Sequence, residues 1–157
     1  YPQAAVVLDK HIYCDNANMF FIQIDDVNET RLYALAGIIN STIFSTFARA
    51  IANPQRGGYF KFNKQFLDPV PVPAKAFLTS NKNIRKLANI AKRIEQINEQ
   101  IKTSVGGQTS GLELLLKELW KELDELCMKL YGIKNPEDKA LLNSVVRKDR
   151  NLYGQES

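Results

Sequence analysis

Two stretches of this chain repeat apolar residues at alternating steps of three and four, and nothing else in the sequence constrains the fold as tightly. In residues 83 to 101, "NIRKLANIAKRIEQINEQI", the positions Ile84, Leu87, Ala91, Ile94, Asn98 and Ile101 form a heptad seam, widened by Ile90 and Ile97. In residues 111 to 132, "GLELLLKELWKELDELCMKLYG", the positions Leu112, Leu116, Leu119, Leu123, Leu126 and Leu130 do the same. A seam of this kind gives a helix one apolar side that must be covered. With only "KTSVGGQTSG" between the two, an antiparallel αα-hairpin covers both most economically. Charge agrees, because residues 81 to 102 carry six bases against two acids, while residues 111 to 132 carry three against five. Asn98 fits a register-setting polar group, Trp120 packs on the seam or on the preceding domain, and Cys127 reads as a small buried hydrophobe.

The hairpin ends at "KLYGI", where Gly132 suits a helix terminus. Beyond it, Asn135 as cap, Pro136 at the first helical position and an acidic first turn predict a short C-terminal helix, followed by the tail "NLYGQES". Upstream of the hairpin the period changes. The apolar runs 4 to 8 (AAVVL) and 19 to 24 (MFFIQI) predict strands, separated by "CDNAN". "NETRLYALAGIINSTIFSTFARAIA" then predicts an amphipathic helix with Asn28 or Thr30 as its cap, broken near Gly37 or near Asn40 and Ser41.

Pro54 and the Gly57-Gly58 pair stop that helix. The following "YFKFNKQF" alternates like a short strand, with Phe60 and Phe62 facing the core and Tyr59 and Lys61 facing out. "DPVPVP" then reads as a stiff, extended exit, since its prolines remove alternate backbone donors. The predicted fold class is therefore α+β. A small mixed domain spans about residues 1 to 80, the helical hairpin about 81 to 132, and a short helix with a tail 133 to 157.

Charge is distributed unevenly along this frame. Residues 1 to 30 hold one base against five acids, whereas residues 43 to 75 hold Arg49, Arg56, Lys61, Lys64 and Lys75 against Asp68 alone. The second segment, like the first seam, favours a polyanion. Its "QRGGYFKFNK" offers bases for phosphates, Gly57 and Gly58 for close backbone approach, and Gln55, Arg56 and Tyr59 for base edges. The plain alternative is a glycine hairpin with solvated lysines.

Catalytic motifs do not emerge. Neither GxGxxG nor GxxxxGK[ST] occurs, the single His11 has no motif-like partner, and Asp25-Asp26 read as solvated charge. Cys14 and Cys127 without a CxxC argue against a zinc site or a disulfide framework, and they fit a reducing, cytoplasmic setting. No run of eighteen apolar residues suggests a membrane span, and "YPQAAVV" looks like an internal start, as of a piece cut from a longer protein.

The order of parts, "LYALAGIINSTIFSTFARAIA", then "RGGYFKFNKQFLDPVPVP", then an Ile-rich helix, then "LDELCMKLYGI", resembles the C-terminal target-recognition region of adenine-specific DNA methyltransferases. The nearest likeness is to the TaqI-like specificity domain of type IIG (Eco57I-like) restriction-modification enzymes. A related arrangement occurs in the specificity subunits of type I enzymes. The resemblance covers about residues 15 to 135 and rests on "INS" at 39 to 41, on Pro71-Val72-Pro73, and on "KLYGI" at 129 to 133.

It implies sequence-specific binding of double-stranded DNA, with Arg49, Lys61, Lys64 and Lys75 on phosphates and Gln55, Arg56 and Tyr59 on bases. It implies no cofactor in this chain. The parent enzyme would use S-adenosylmethionine to methylate adenine N6, with Mg if it also cleaves, through a methyltransferase domain upstream of Tyr1, because an FxGxG-like loop and an NPPY-like tetrapeptide are absent here. The alternative is a helical protein-interaction module whose leucine seam pairs with a partner.

Overall fold

The computed structural model describes residues 3–8, 22, 28–54, 60–62, 64–73, 82–104 and 109–149. The expected α+β class is overturned. Helices occupy 73% of the described residues, and the only strand pairing among them joins Asn53–Pro54 (β1) to Phe60–Lys61 (β2).

The predicted strand at 4 to 8 has no strand partner among the described residues. The backbone of Ala4 is instead paired by the side-chain amide of Asn40, whose Oδ1 accepts from Ala4 N at 2.8 Å and whose Nδ2 donates to Ala4 O at 2.7 Å. A strand is stabilised by neighbours, and a single carboxamide satisfies one residue of it without starting a ladder. The predicted strand at 19 to 24 lies outside the described residues except for the exposed Ile22.

The amphipathic segment forms two helices, α1 (Glu29–Ile39) and α2 (Thr42–Ile51), bent by 59°. Asn28 caps α1, its Oδ1 accepting from Arg31 N at 2.9 Å. The break falls at Asn40-Ser41. Ser41 is extended there, its hydroxyl donating to Ile38 O at 2.6 Å and accepting from Phe44 N, so one side chain closes α1 and opens α2. Gly37 does not break the helix. A Cβ at Gly37 would lie 3.3 Å from both Ala91 and Leu87, so the missing side chain lets α1 lie close against the next long helix.

That helix is α4 (Lys82–Thr103), preceded by the single turn α3 (Lys64–Leu67) and followed by α5 (Ser110–Leu130). Lys86 near the start of α4 meets Glu122 toward the end of α5 at 2.7 Å, as an antiparallel pair requires. The seams are filled from within the chain. Ile84, Leu87, Ile94, Leu116, Leu119, Leu123 and Leu126 are buried in one cluster with Ala34, Ile38, Ile43 and Phe44 of the first two helices. Cys127 joins it fully buried, and Trp120 packs against it half-buried.

Helix α1 is also tied to α4 by polar contacts. Tyr33 donates its hydroxyl to Glu95 at 2.7 Å, and Lys92 bridges to Glu29 while lying over the Tyr33 ring. Burial, reinforced by Glu95 and Glu29, pushes the Tyr33 phenol up to about 12.

At the far end of α5 the backbone closes a Schellman motif. Gly132, at φ 76°, donates to Lys129 O, and Ile133 donates to Met128 O. Asn135 then caps α6 (Pro136–Asp149), its Oδ1 accepting from Glu137 N at 3.0 Å. Among the described residues no single helix is long and apolar enough to cross a membrane.

Candidate nucleic-acid interface

Helix α2 ends at Ile51 because Ala52 is already extended ahead of the Asn53-Pro54 pair, and the chain turns off the core there. Asn53 then pairs with Lys61, and Pro54 with Phe60, in antiparallel register. This pairing brings together the two ends of the stretch that holds Gln55, Arg56, Gly57, Gly58 and Tyr59. Those five residues lie outside the described residues, as does Lys75.

The base of the pair is fixed to α2 by a cation over a ring. The Arg49 guanidinium lies 4.7 Å from the centroid of Phe60, and Phe60 stacks on Phe62 at 6.3 Å. Phe62 packs on the core as predicted, while Phe60 lies between Phe62 and the Arg49 guanidinium. The strand, however, stops at Lys61. Residues from Lys64 form a helical turn in which Lys64 bridges Asp68 four positions on, a spacing that a helix brings together and a strand does not.

The exit is fixed as well. Val70 is buried, and Tyr131, just beyond α5, donates its hydroxyl to Pro71 O at 2.7 Å while its ring rests 6.0 Å from Phe47 of α2. Burial, with Cys127 adding to it, raises the Tyr131 phenol well above its ordinary value. The described residues from Phe60 to Pro73 are thus clamped to the helices at their start by Arg49 and Phe60 and at their end by Val70 and Tyr131. The two Pro-rich and "LYGI" motifs touch each other at this second clamp.

The third motif has an equally local purpose. Thr42, next after "INS", gives its backbone N–H to Asp124 Oδ1 at 2.7 Å and its hydroxyl to Asp124 Oδ2. A carboxylate from α5 therefore sits at the N-terminus of α2, where unpaired amides and the helix dipole favour negative charge. No spacing rule in the sequence points to Asp124, since its partners are 82 positions away.

Of the expected phosphate contacts, Arg49 and Lys64 are described with their side chains. Arg49 is half-buried on Phe60, and Lys64 is exposed beside Asp68. Lys61 is placed by its backbone in β2.

The opposite charges of α4 and α5 meet at Lys86 and Glu122, while Lys92 turns to Glu29 on α1. Among the described residues no group of three or more His, Cys, Asp or Glu is placed to hold a metal ion. No family model, curated protein or solved structure matches this chain.

Proposed function

We propose that this chain is a DNA target-recognition region, in which residues 53 to 75 meet the duplex and the helices serve as their frame. The supporting observation is the double clamp. The stretch 55 to 59 begins after Pro54 and ends before Phe60, which pair with each other and are anchored through Phe60 on Arg49, and the chain that follows is fixed again where Tyr131 donates to Pro71 O. Rigid ends lower the ordering cost of binding.

On this reading Gln55, Arg56 and Tyr59 read base edges, Gly57 and Gly58 admit the sugar-phosphate backbone, and Lys61, Lys64 and Lys75 contact phosphates. Arg49 combines a phosphate contact with its anchoring of Phe60. Catalysis, S-adenosylmethionine and any Mg belong to an upstream methyltransferase domain that modifies adenine N6.

The test is binding of this chain to a randomised duplex pool at moderate salt, with sequencing of the retained fraction. Enrichment of one short asymmetric motif is the expected result. Salt-sensitive retention without any motif reduces the role to phosphate binding, and no retention at low salt overturns the reading.

A further inference from the structure

The solvent side of α4 carries charge that the fold does not consume. Lys82, Arg85, Lys86, Asn89, Arg93, Gln96 and Gln100 are all exposed. At about 100° per residue they fall within one sector roughly 100° wide, opposite the buried Ile84, Leu87 and Ile94. The sector contains four bases, three carboxamides and no acid. Glu99, the one exposed acid of the helix, lies at its margin and bridges Lys102.

Lys86 is held by Glu122, whereas Lys82, Arg85 and Arg93 have no carboxylate partner among the described residues. The exposed side of α5 differs, since Lys117, Lys121 and Lys129 alternate there with Glu118 and Glu125. A solvated helix face ordinarily mixes signs in that way. The α4 face does not.

We infer that this face of α4 is a second DNA-contacting surface, crossing the major groove of the same duplex. Arg85 and Arg93 are eight residues apart, about 12 Å along a helix axis, which is about the width of that groove. Their guanidinium groups meet phosphates of the two opposing strands, with Lys82 reinforcing the first. Asn89 stands between them, a carboxamide where the groove floor presents base edges. The buried half of α4 is covered by α1 and α5, so the helix meets the groove with one face only. This inference rests on the DNA-recognition reading and adds a place of contact to it.

The experiment measures duplex affinity against salt for the whole chain, for Arg85→Gln/Arg93→Gln, and for Lys117→Gln/Lys121→Gln as an equally charged change on α5. The expected result is a plot of log affinity against log salt that is shallower by about 2 for the α4 variant and unchanged for the α5 control, because each lost phosphate contact removes about 0.9 from the slope.

If the unaltered chain binds and the α4 variant keeps its slope, the α4 surface is refuted while the DNA reading stands. If the unaltered chain binds no duplex, both fail together. A preference for single-stranded RNA over duplex DNA in the unaltered chain overturns the groove-crossing geometry. Circular dichroism of the variants separates lost contacts from lost fold, and exposed, unpaired arginines are expected to leave it unchanged.

Discussion

The helical frame and the stretch from Asn53 to Pro73 were built from different kinds of residue pattern, and they differ in what holds them. In α1, α2, α4 and α5, apolar side chains at helical spacing are buried against one another in a single cluster, so pattern and packing have one cause. Among the described residues between Asn53 and Pro73, order rests on fewer contacts: a four-residue strand pair, a guanidinium on a ring, one buried valine, Phe62 and Leu67 against the core, and one tyrosine hydroxyl. Redundant packing resists single changes of surface character, whereas a stretch held at its two ends can vary between them. On the proposed reading, such a division would let the frame stay constant while the recognised sequence changes.

The largest expected effect breaks the frame. Leu87 is fully buried between α1 and α5, and Leu87→Ala should cost about 2 to 5 kcal/mol in urea unfolding. A loss below about 1 kcal/mol would mean that the shared core is not the source of stability.

Next comes alkaline pH, with the α1–α4 contact read through Tyr33. The Tyr33 phenol is raised to about 12 in the folded chain against 10.0 when unfolded, so the folded state keeps its proton longer. Its contribution is complete below pH 10 and is lost as pH rises toward 12. Tyr33→Phe should flatten that part of the stability profile relative to the unaltered chain, and identical profiles for the two would remove the phenol from the account.

A smaller effect joins the two helix pairs. Asp124→Ala deprives Thr42 of both acceptors at the start of α2 and should cost about 1 to 3 kcal/mol, with Asp124→Asn recovering part of it. Thermal melts of the two variants check this, and equal losses for both would show that charge rather than hydrogen bonding governs the site. Least of all, Lys64→Ala removes an exposed ion pair with Asp68 and should change stability by less than about 0.5 kcal/mol. The same change should weaken duplex binding on every sequence alike.

The seams at Ile84 to Ile101 and Leu112 to Leu130 were legible because burial at heptad spacing is a local pattern with a local cause. So were the helix signals at Asn28, Gly132 and Asn135, each confirmed by its own hydrogen bond or dihedral. The strands were misjudged for the opposite reason. The apolar run "AAVVL" and the alternation in "YFKFNKQF" record which side chains suit an extended, half-buried chain, but a strand exists only where another backbone lies beside it. Asn40 took that position at Ala4, and the Lys64–Asp68 spacing turned the chain at Lys64.

Gly37 misled as a breaker because its role is set by α4, fifty residues later in the chain. The exposed row on α4 was visible as charge. Which of its bases pairs across the hairpin was not, since among the described residues only Lys86 of that row meets a carboxylate of α5.

The division into frame and reader is tested most directly by replacing the readers alone. The variant Gln55→Ala/Arg56→Ala/Tyr59→Ala is compared with the unaltered chain in one selection from a randomised duplex pool, with a thermal melt of each protein alongside. The expected result is an unchanged melting temperature, retained salt-dependent binding through the remaining bases, and loss of the enriched motif. Survival of the same motif in the triple variant would place sequence reading elsewhere in the molecule and contradict the account.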